Sequence, residues 1–300
     1  MIKFSIIIPT WNKKNLLKKN LPLVIAAGDK EEVELVVVDN GSIDGSVDFL
    51  KKISAETKSL KINLLELPRN FGFAYAVNLG AEKARGEFLV LLNNDVVPEK
   101  GFLKPVGRVF LDPKVFALSL NEPQFSWAGG EFKNGFLAHK PGEKTKKIHH
   151  SLWASGGSGV FRKRIWQELG GFDLLYEPFY WEDVDLSYRA WKRGYRVLWE
   201  PEAVVHHLHE ASVSRFPKKY VDLIKQRNEL LFIWKNITSQ KMFSEHKRFL
   251  VKRLRGKPGY FKVLLATLIK TPQVLVRRRQ EKKAAKLTDE EVFFRLAKKK

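Results

Sequence analysis

Apolar runs and amphipathic stretches alternate through the first third of the chain. Residues 3–8 (KFSIII), 33–38 (VELVVV), 61–66 (KINLLE) and 87–92 (EFLVLL) are rich in β-branched and aliphatic side chains and predict four strands. Between them, residues 14–26 place Leu16, Leu17, Leu21, Val24 and Ile25 at helical spacing, and residues 45–53 and 73–84 are helix-compatible. Strand alternating with helix predicts a parallel sheet with right-handed crossovers. Strands apolar on both faces lie inside such a sheet, and ligands of open α/β sheets bind just past the strands' carboxyl ends.

Polar residues at those ends are therefore candidates for chemistry. The run LLNNDVVPEK (91–100) stops on Asn93, Asn94 and Asp95. Asp95 is a candidate site residue, although Asn-Asn-Asp also starts turns well, because these side chains bond nearby backbone. In VVVDNGSIDGS, Asp39 ends the second strand, where it could bond a base or ribose or cap a turn, while Asp44 fits a structural helix start. Arg69 and Asn70 precede a helix whose dipole favours phosphate. The first turn is Pro9-Thr10-Trp11-Asn12 rather than a GxGxxG, which disfavours a dinucleotide dehydrogenase.

Regularity fades from about 98 to 150, where loops or short strands are expected, and His139, His149 and His150 read as surface histidines without ligand spacing. Residues 151–209 are richer. Ser155 to Gly159, including Gly156 and Gly157, form a glycine-rich turn that either admits a ligand close to backbone or is a flexible corner. Residues 163–169 predict a short helix ended by Gly170-Gly171. Trp181-Glu182-Asp183-Val184-Asp185 opens another, ended by Gly194. Acidic residues at a helix N-terminus are stabilising without any chemistry, and Asp185 reads as structural. Glu182 and Asp183, being adjacent, point different ways, so at most one faces a given ligand. After the strand RVLWE, the extended segment PEAVVHHLHE puts His207 and His209 on one face and His206 on the other, each a metal ligand, a phosphate contact or a packed residue.

At 300 residues and 44% hydrophobic, the chain can bury a full core. It has no cysteine, which excludes disulfides, thiolate metal sites and cysteine nucleophiles and agrees with a cytoplasmic location. No secretion signal is visible at the N-terminus, and no run of about 18 apolar residues predicts a spanning helix. The formal charge of +21 is uneven: residues 211–300 hold 25 Lys+Arg against 7 Asp+Glu.

Taken together, IIIPTWN, VVVDNGSIDGS, NFGFAYAVNLG, LLNNDVVP and WEDVDLSYRAWKRGYRVLWEPEAVVHH resemble family 2 glycosyltransferases, particularly the bacterial rhamnosyltransferase-like and galactofuranosyltransferase-like branch. The resemblance covers about residues 1–235 and implies a catalytic domain of the glycosyltransferase A type, an α/β fold with a central, mostly parallel sheet, followed by a basic helical extension over 236–300. It implies an inverting enzyme that uses a nucleoside diphosphate sugar donor and a glycan or polyisoprenoid-linked acceptor, in cell-envelope polysaccharide synthesis. Asp95 falls on the last carboxylate of the family's Asp-x-Asp position and, with His207, would hold Mg2+ or Mn2+; Asn93 replaces the first carboxylate. Asp183 matches the general base, and Glu182 would orient acceptor or donor sugar. Pro9, Thr10, Asn12 and Asp39 would line the nucleoside, with Arg69, Asn70 and Asn94 near ribose and phosphates. Trp181, Gly156 and Gly157 fall on the sugar and acceptor side, where Trp181 and Trp153 could stack on a sugar or pack in the core.

The resemblance stops in the tail. Residues 259–279 combine a short apolar run with Lys262, Lys270 and Arg277 to Arg279, a composition suited to lying in the interface of an anionic membrane or to packing as a helical hairpin. A nucleic-acid-binding protein fits poorly, since the basicity lies outside the motif-bearing part and no nucleic-acid module is present. A sugar nucleotidyltransferase would want a glycine-rich basic loop after strand one, and a silent nucleotide-sugar-binding relative would not need Asp39, Asp95, Asp183 and His207 together.

Overall fold

The computed structural model describes residues 3–28, 32–208 and 216–297. In chain order the elements are β1 (Phe4–Thr10), α1 (Lys14–Ala27), β2 (Val33–Asp39), α2 (Ser46–Glu56), β3 (Lys61–Glu66), α3 (Phe73–Lys83), β4 (Phe88–Leu92), β5 (Val96–Pro98), α4 (Leu103–Val109), β6 (Val115–Asn121), β7 (Ala128–Lys133), β8 (Phe136–Pro141), β9 (His149–His150), β10 (Ser158–Arg162), α5 (Lys163–Leu169), α6 (Glu182–Lys192), β11 (Arg196–His207), α7 (Lys218–Asn236), α8 (Gln240–Gly256), α9 (Phe261–Leu268), α10 (Thr271–Ala284) and α11 (Asp289–Ala297).

The main sheet runs β3-β2-β1-β4-β10-β6-β11-β5, with β9 also on β11. β3, β2, β1 and β4 are parallel, and β10 lies antiparallel between β4 and β6. Alternate side chains of each strand enter opposite cores. Ile6, Ile8, Leu35 and Val37 meet Leu17, Leu21 and Val24 of α1 and Leu50 of α2, whereas Ile7, Val36 and Val38 meet Ala76, Val77 and Ala81 of α3. Gly80 lets α3 approach closely: a Cβ there would stand 2.6 Å from Ile7 Cγ2.

Residues 98–150 are more regular than the loops or short strands expected of them. They hold α4, the central strand β6 and the β7–β8 hairpin. Ser155–Gly159, read as a turn, is partly the start of β10, because Gly159 pairs with both Leu91 and Ser119 in mid-sheet. The helices after residue 236 pack on the α/β body. Asp289 accepts from Tyr188 Oη and Lys192 Nζ of α6, both at 2.7 Å. His246 of α8 bonds the Gly135 carbonyl at the hairpin tip at 2.7 Å. No helix among the described residues is long and apolar enough to cross a membrane.

Candidate active site

The carboxyl ends of β1, β2 and β4 lie side by side along the sheet and make the floor of the candidate site. Asn94, just past β4, donates to Thr10 Oγ1 at 3.0 Å and fastens the ends of β1 and β4 together. Asn12, with φ 50°, accepts from Ile43 N at 2.8 Å, so the turns after β1 and β2 are knitted into one wall beside Pro9. Asp39 is buried and accepts from Ser42 N at 2.9 Å through Oδ2, while its Oδ1 has no hydrogen-bond partner. A buried carboxylate oxygen without a donor is costly, and a base or ribose donor would satisfy it. Asn70 serves its own loop, accepting from Gly72 N at 2.8 Å and from Asn40 Nδ2 at 3.0 Å. Arg69 is exposed and lies over the Phe71 ring. Asn40, which sequence reasoning missed, holds that loop through Phe71 N and the Gly72 carbonyl.

Pairing of β11 with β5 brings the far end of the sheet back to this floor. His207 registers with Val96, the residue after Asp95, and its Nε2 lies 3.2 Å from Asp95 Oδ1. His206 points to the opposite face, 2.9 Å from Glu99, and His209 lies outside the described residues. The second ring nitrogen, Nδ1, is 3.2 Å from Glu122, which also accepts from Ser158 Oγ at 2.6 Å. Glu122 was not foreseen. Burial pulls the imidazole's pKa down, but hydrogen bonds and charge from Asp95 and Glu122 outweigh it and raise it to about 9.

Opposite this cluster, α6 begins from two consecutive non-glycine residues in the left-handed region, Tyr180 (φ 69°) and Trp181 (φ 81°). Each such residue costs on the order of 1–3 kcal/mol and persists only where its surroundings hold it. Asn228 of α7 does so, donating to the carbonyls of Tyr176, Phe179 and Tyr180 at 2.6, 3.0 and 2.9 Å. The result aims Asp183 back at the sheet. Its Oδ2 accepts from Gly156 N at 3.1 Å and its Oδ1 from Val184 N at 2.8 Å. Burial lifts the Asp183 pKa above its ordinary value despite those amide bonds. Glu182, buried beside it, is raised to about 8 by burial and then by the charge of Asp183.

The turn at 155–157 joins the two halves of the site. The Gly157 carbonyl accepts from Asn93 N at 2.8 Å, while Gly156 N reaches Asp183. A Cβ on Gly157 would stand 2.4 Å from Asn93 Nδ2, so a side chain there would have to displace the Asn93 amide. Asp185, two residues along α6, is wholly buried among Tyr176, Arg189, Lys235 and Asn236.

A groove of about 560 Å3 opens over Asp183, lined by His139, Trp153, Tyr180, Trp181, Val184, Lys225, Gln226 and Glu229. His139, expected to be a plain surface residue, lies with its ring 4.6 Å from that of Trp153. His149 and His150 likewise lie against Trp127 and Trp191. A smaller cavity of about 180 Å3, also lined by His139 and Trp153, reaches Glu122 and Ser155. Aromatic faces beside amide and charged side chains form a surface suited to sugar rings and their hydroxyls.

The glycosyl transferase family 2 profile matches residues 5–166, and that of glycosyl transferase family group 2 matches residues 94–276. The chain is 25% identical over 250 residues to the uncharacterized protein y4gI of Sinorhizobium fredii, covering 74% of this chain and 27% of that one. It is 23% identical over 240 residues to a dolichyl N-acetyl-alpha-D-glucosaminyl phosphate 3-beta-D-2,3-diacetamido-2,3-dideoxy-beta-D-glucuronosyltransferase of Methanococcus voltae, covering 72% of this chain and 70% of the other. The fold is shared with GalNAc-T7 bound to UDP, GalNAc and Mn2+, at TM-score 0.65 and 14% identity over 87% of this chain and 57% of that one. It is shared also with the mannosyltransferase PcManGT of Pyrobaculum calidifontis bound to GDP-Man and Mn2+, at TM-score 0.58 and 16% identity over 94% and 85%. The sheet and its helices are thus of the glycosyltransferase A type.

Proposed function

The chain belongs to glycosyl transferase family 2, and from that premise we propose that it moves a sugar from a nucleoside diphosphate sugar to a hydroxyl of a glycan or lipid-linked saccharide, inverting the anomeric carbon. One observation carries this reading: Asp183 lines a sugar-sized groove and is tied through Gly156 and Gly157 to the strand end that bears Asp95. The resemblance to the rhamnosyltransferase-like branch supports a hexosyl-type or rhamnosyl-type donor sugar and, with the basic tail, a role in envelope polysaccharide assembly.

In the proposed reaction the acceptor hydroxyl lies in the groove against Trp153 and Trp181. Its oxygen bonds to the anomeric carbon as the bond to the diphosphate breaks, the leaving oxygen keeps the electron pair, and the hydroxyl proton passes to a carboxylate oxygen of Asp183. Two amide donors hold that carboxylate in place, so little reorientation is needed. Glu182, with its pKa near 8, keeps its proton near neutral pH and spares the helix start a second buried charge. Asp39 Oδ1 accepts from the donor's base or ribose, with Thr10, Asn12 and Asn94 shaping the floor.

The donor set at Asp95 and His207 fits a divalent cation. A carboxylate oxygen and an imidazole nitrogen face each other at 3.2 Å, a pair suited to Mn2+ and, less closely, to Mg2+. Among the described residues no group of three acidic or histidine side chains forms a ready cage, so the donor diphosphate and water would complete the shell. Such an ion supplies neutralisation of the charge that develops on the departing diphosphate.

Asp183→Asn tests the assignment. Transfer should fall by at least about 100-fold, the scale of a lost general base, while thermal stabilisation by the matching donor from a panel of UDP, GDP and dTDP sugars with Mn2+ is kept. Donor stabilisation lost together with transfer would remove Asp183 from the base role.

A further inference from the structure

The α9–α10 pair carries an apolar surface that no part of the described chain covers. Val263 and Thr267 of α9 and Val274 of α10 are buried, and both helices pack along α7. On the opposite side, Phe261, Leu265 and Leu268 recur at i, i+4 and i+7, followed by Ile269 between the helices and by Leu275 and Val276 of α10, all 47–81% exposed. Soluble surfaces rarely gather six large apolar side chains in one contiguous stretch. The segment is also strongly basic: residues 252–283 contain eleven Lys+Arg and a single acidic residue, Glu281. Lys262 and Arg279 are exposed among the apolar side chains.

We propose that this face docks on an anionic phospholipid bilayer, with the apolar side chains entering the headgroup boundary and the surrounding cations meeting lipid phosphates. Charge complementarity selects this occupant. A second copy of the chain would bring two cationic rims together, and nucleic acid would use the cations but leave the apolar stripe in water. The helices are too short to span, so binding is peripheral and reversible. The proposal stands apart from the transfer reading, since lipid binding requires neither donor nor acceptor. Where both hold, α7 connects them, because its Lys225, Gln226 and Glu229 line the groove.

The test is flotation of the full chain with vesicles of phosphatidylcholine alone and with about 30% phosphatidylglycerol, beside the variant Leu265→Glu/Ile269→Glu. Both positions are exposed, so the fold is expected to stand, and an unchanged circular dichroism spectrum and melting temperature verify that. Wild type should float with the anionic vesicles and stay down with the neutral ones. The double variant should lose at least about tenfold in partitioning. Neutralising one rim cation, as in Arg279→Gln, should cost about fivefold, equivalent to about 1 kcal/mol. Wild type that stays down with anionic vesicles overturns the proposal. So does a folded double variant that floats as well as wild type, or tight binding to duplex DNA or RNA without binding to vesicles.

Discussion

Replacing Asp185 with Asn should cost stability out of proportion to its one-atom change. The wild-type carboxylate has no exposed surface and accepts from Tyr176 Oη and Arg189 Nε at 2.7 Å and from Lys235 Nζ and Asn236 Nδ2 at 2.8 Å. Burial alone would raise its pKa, but Lys235 and Arg189 prevail and hold it far below the ordinary carboxylate range. A depressed folded pKa means that the contribution is complete above the unfolded value near 3.8 and is lost only as pH falls through the lower folded value. Between pH 5.5 and 7.5 it is therefore flat. The amide keeps the shape but removes the carboxylate that both cations contact directly, leaving Lys235 with Asp173 at 2.8 Å and Arg189 with the more distant charges of Glu281 and Asp173. Breaking a buried pair from one side costs about 3–5 kcal/mol, against about 5–15 kcal/mol for a whole domain. With a urea slope of about 3 kcal/mol per molar for a chain of this size, the midpoint should fall by about 1–1.7 M. Urea unfolding followed by tryptophan fluorescence at pH 5.5 and 7.5 measures it. A loss below about 1 kcal/mol, or one that shrinks markedly at pH 5.5, would refute the assignment of Asp185 as an ionised hub.

Two further outcomes follow from the same electrostatics. Glu182 has its folded pKa raised from 4.5 to about 8, so its contribution to stability is full below pH 4.5 and lost as pH rises through about 8; Glu182→Gln should match wild type at pH 5 and melt higher at pH 9, and equal melting temperatures at both would contradict the raised pKa. Glu122 holds His207 Nδ1 at 3.2 Å and so orients Nε2 toward Asp95; Glu122→Ala should weaken Mn2+ binding by about 10–100-fold as read by electron paramagnetic resonance, with Glu122→Gln recovering part of it, and unchanged affinity in both variants would remove Glu122 from the positioning role.

The parts of the fold that were legible in sequence are those in which local pattern and tertiary placement agree. The four N-terminal strands and the helices between them combine continuous apolar runs with helical spacing, and they lie where that pattern predicts. β10 was hidden because its Ser158 and Gly159 look like turn chemistry, yet mid-sheet pairing on both sides overrides that preference. α4 was hidden by Pro105 and Gly107 in a seven-residue helix. The missed strand also concealed a residue: Glu122 follows β6, and only the placement of β6 beside β11 brings it to His207, 85 residues away in sequence. Asn40 escaped for the same reason, since its bond to Asn70 reaches 30 residues along the chain. Asp39, Asp95 and Asp183 could be nominated as candidates because strand ends and a helix start are visible locally. The contrast between Asp183 and Asp185 follows from helix geometry: two residues apart they point about 200° apart, so one faces the groove and the other the core.

The helix α7 is where these separate features meet. Its buried Asn228 fastens the left-handed residues Tyr180 and Trp181 that aim Asp183, and its Lys235 is a counter-ion of Asp185 in the same first turn of α6. Its Lys225, Gln226 and Glu229 face the groove, and α9 and α10 lie along it with their apolar sides turned away. Glu229 in turn pairs with Arg253 of α8 at 3.1 Å. The position of Asp183, the proposed base, therefore depends on a helix that lies beyond the parallel-sheet half of the fold, and the basic helices that follow brace that helix from behind. The C-terminal segment is in this sense part of the site's support as well as a candidate surface for the bilayer. Deleting it would withdraw the packing of α8, α9 and α10 from α7 at the same time as any lipid contact, whereas substitutions confined to Leu265, Ile269 and Arg279 change the exposed face alone.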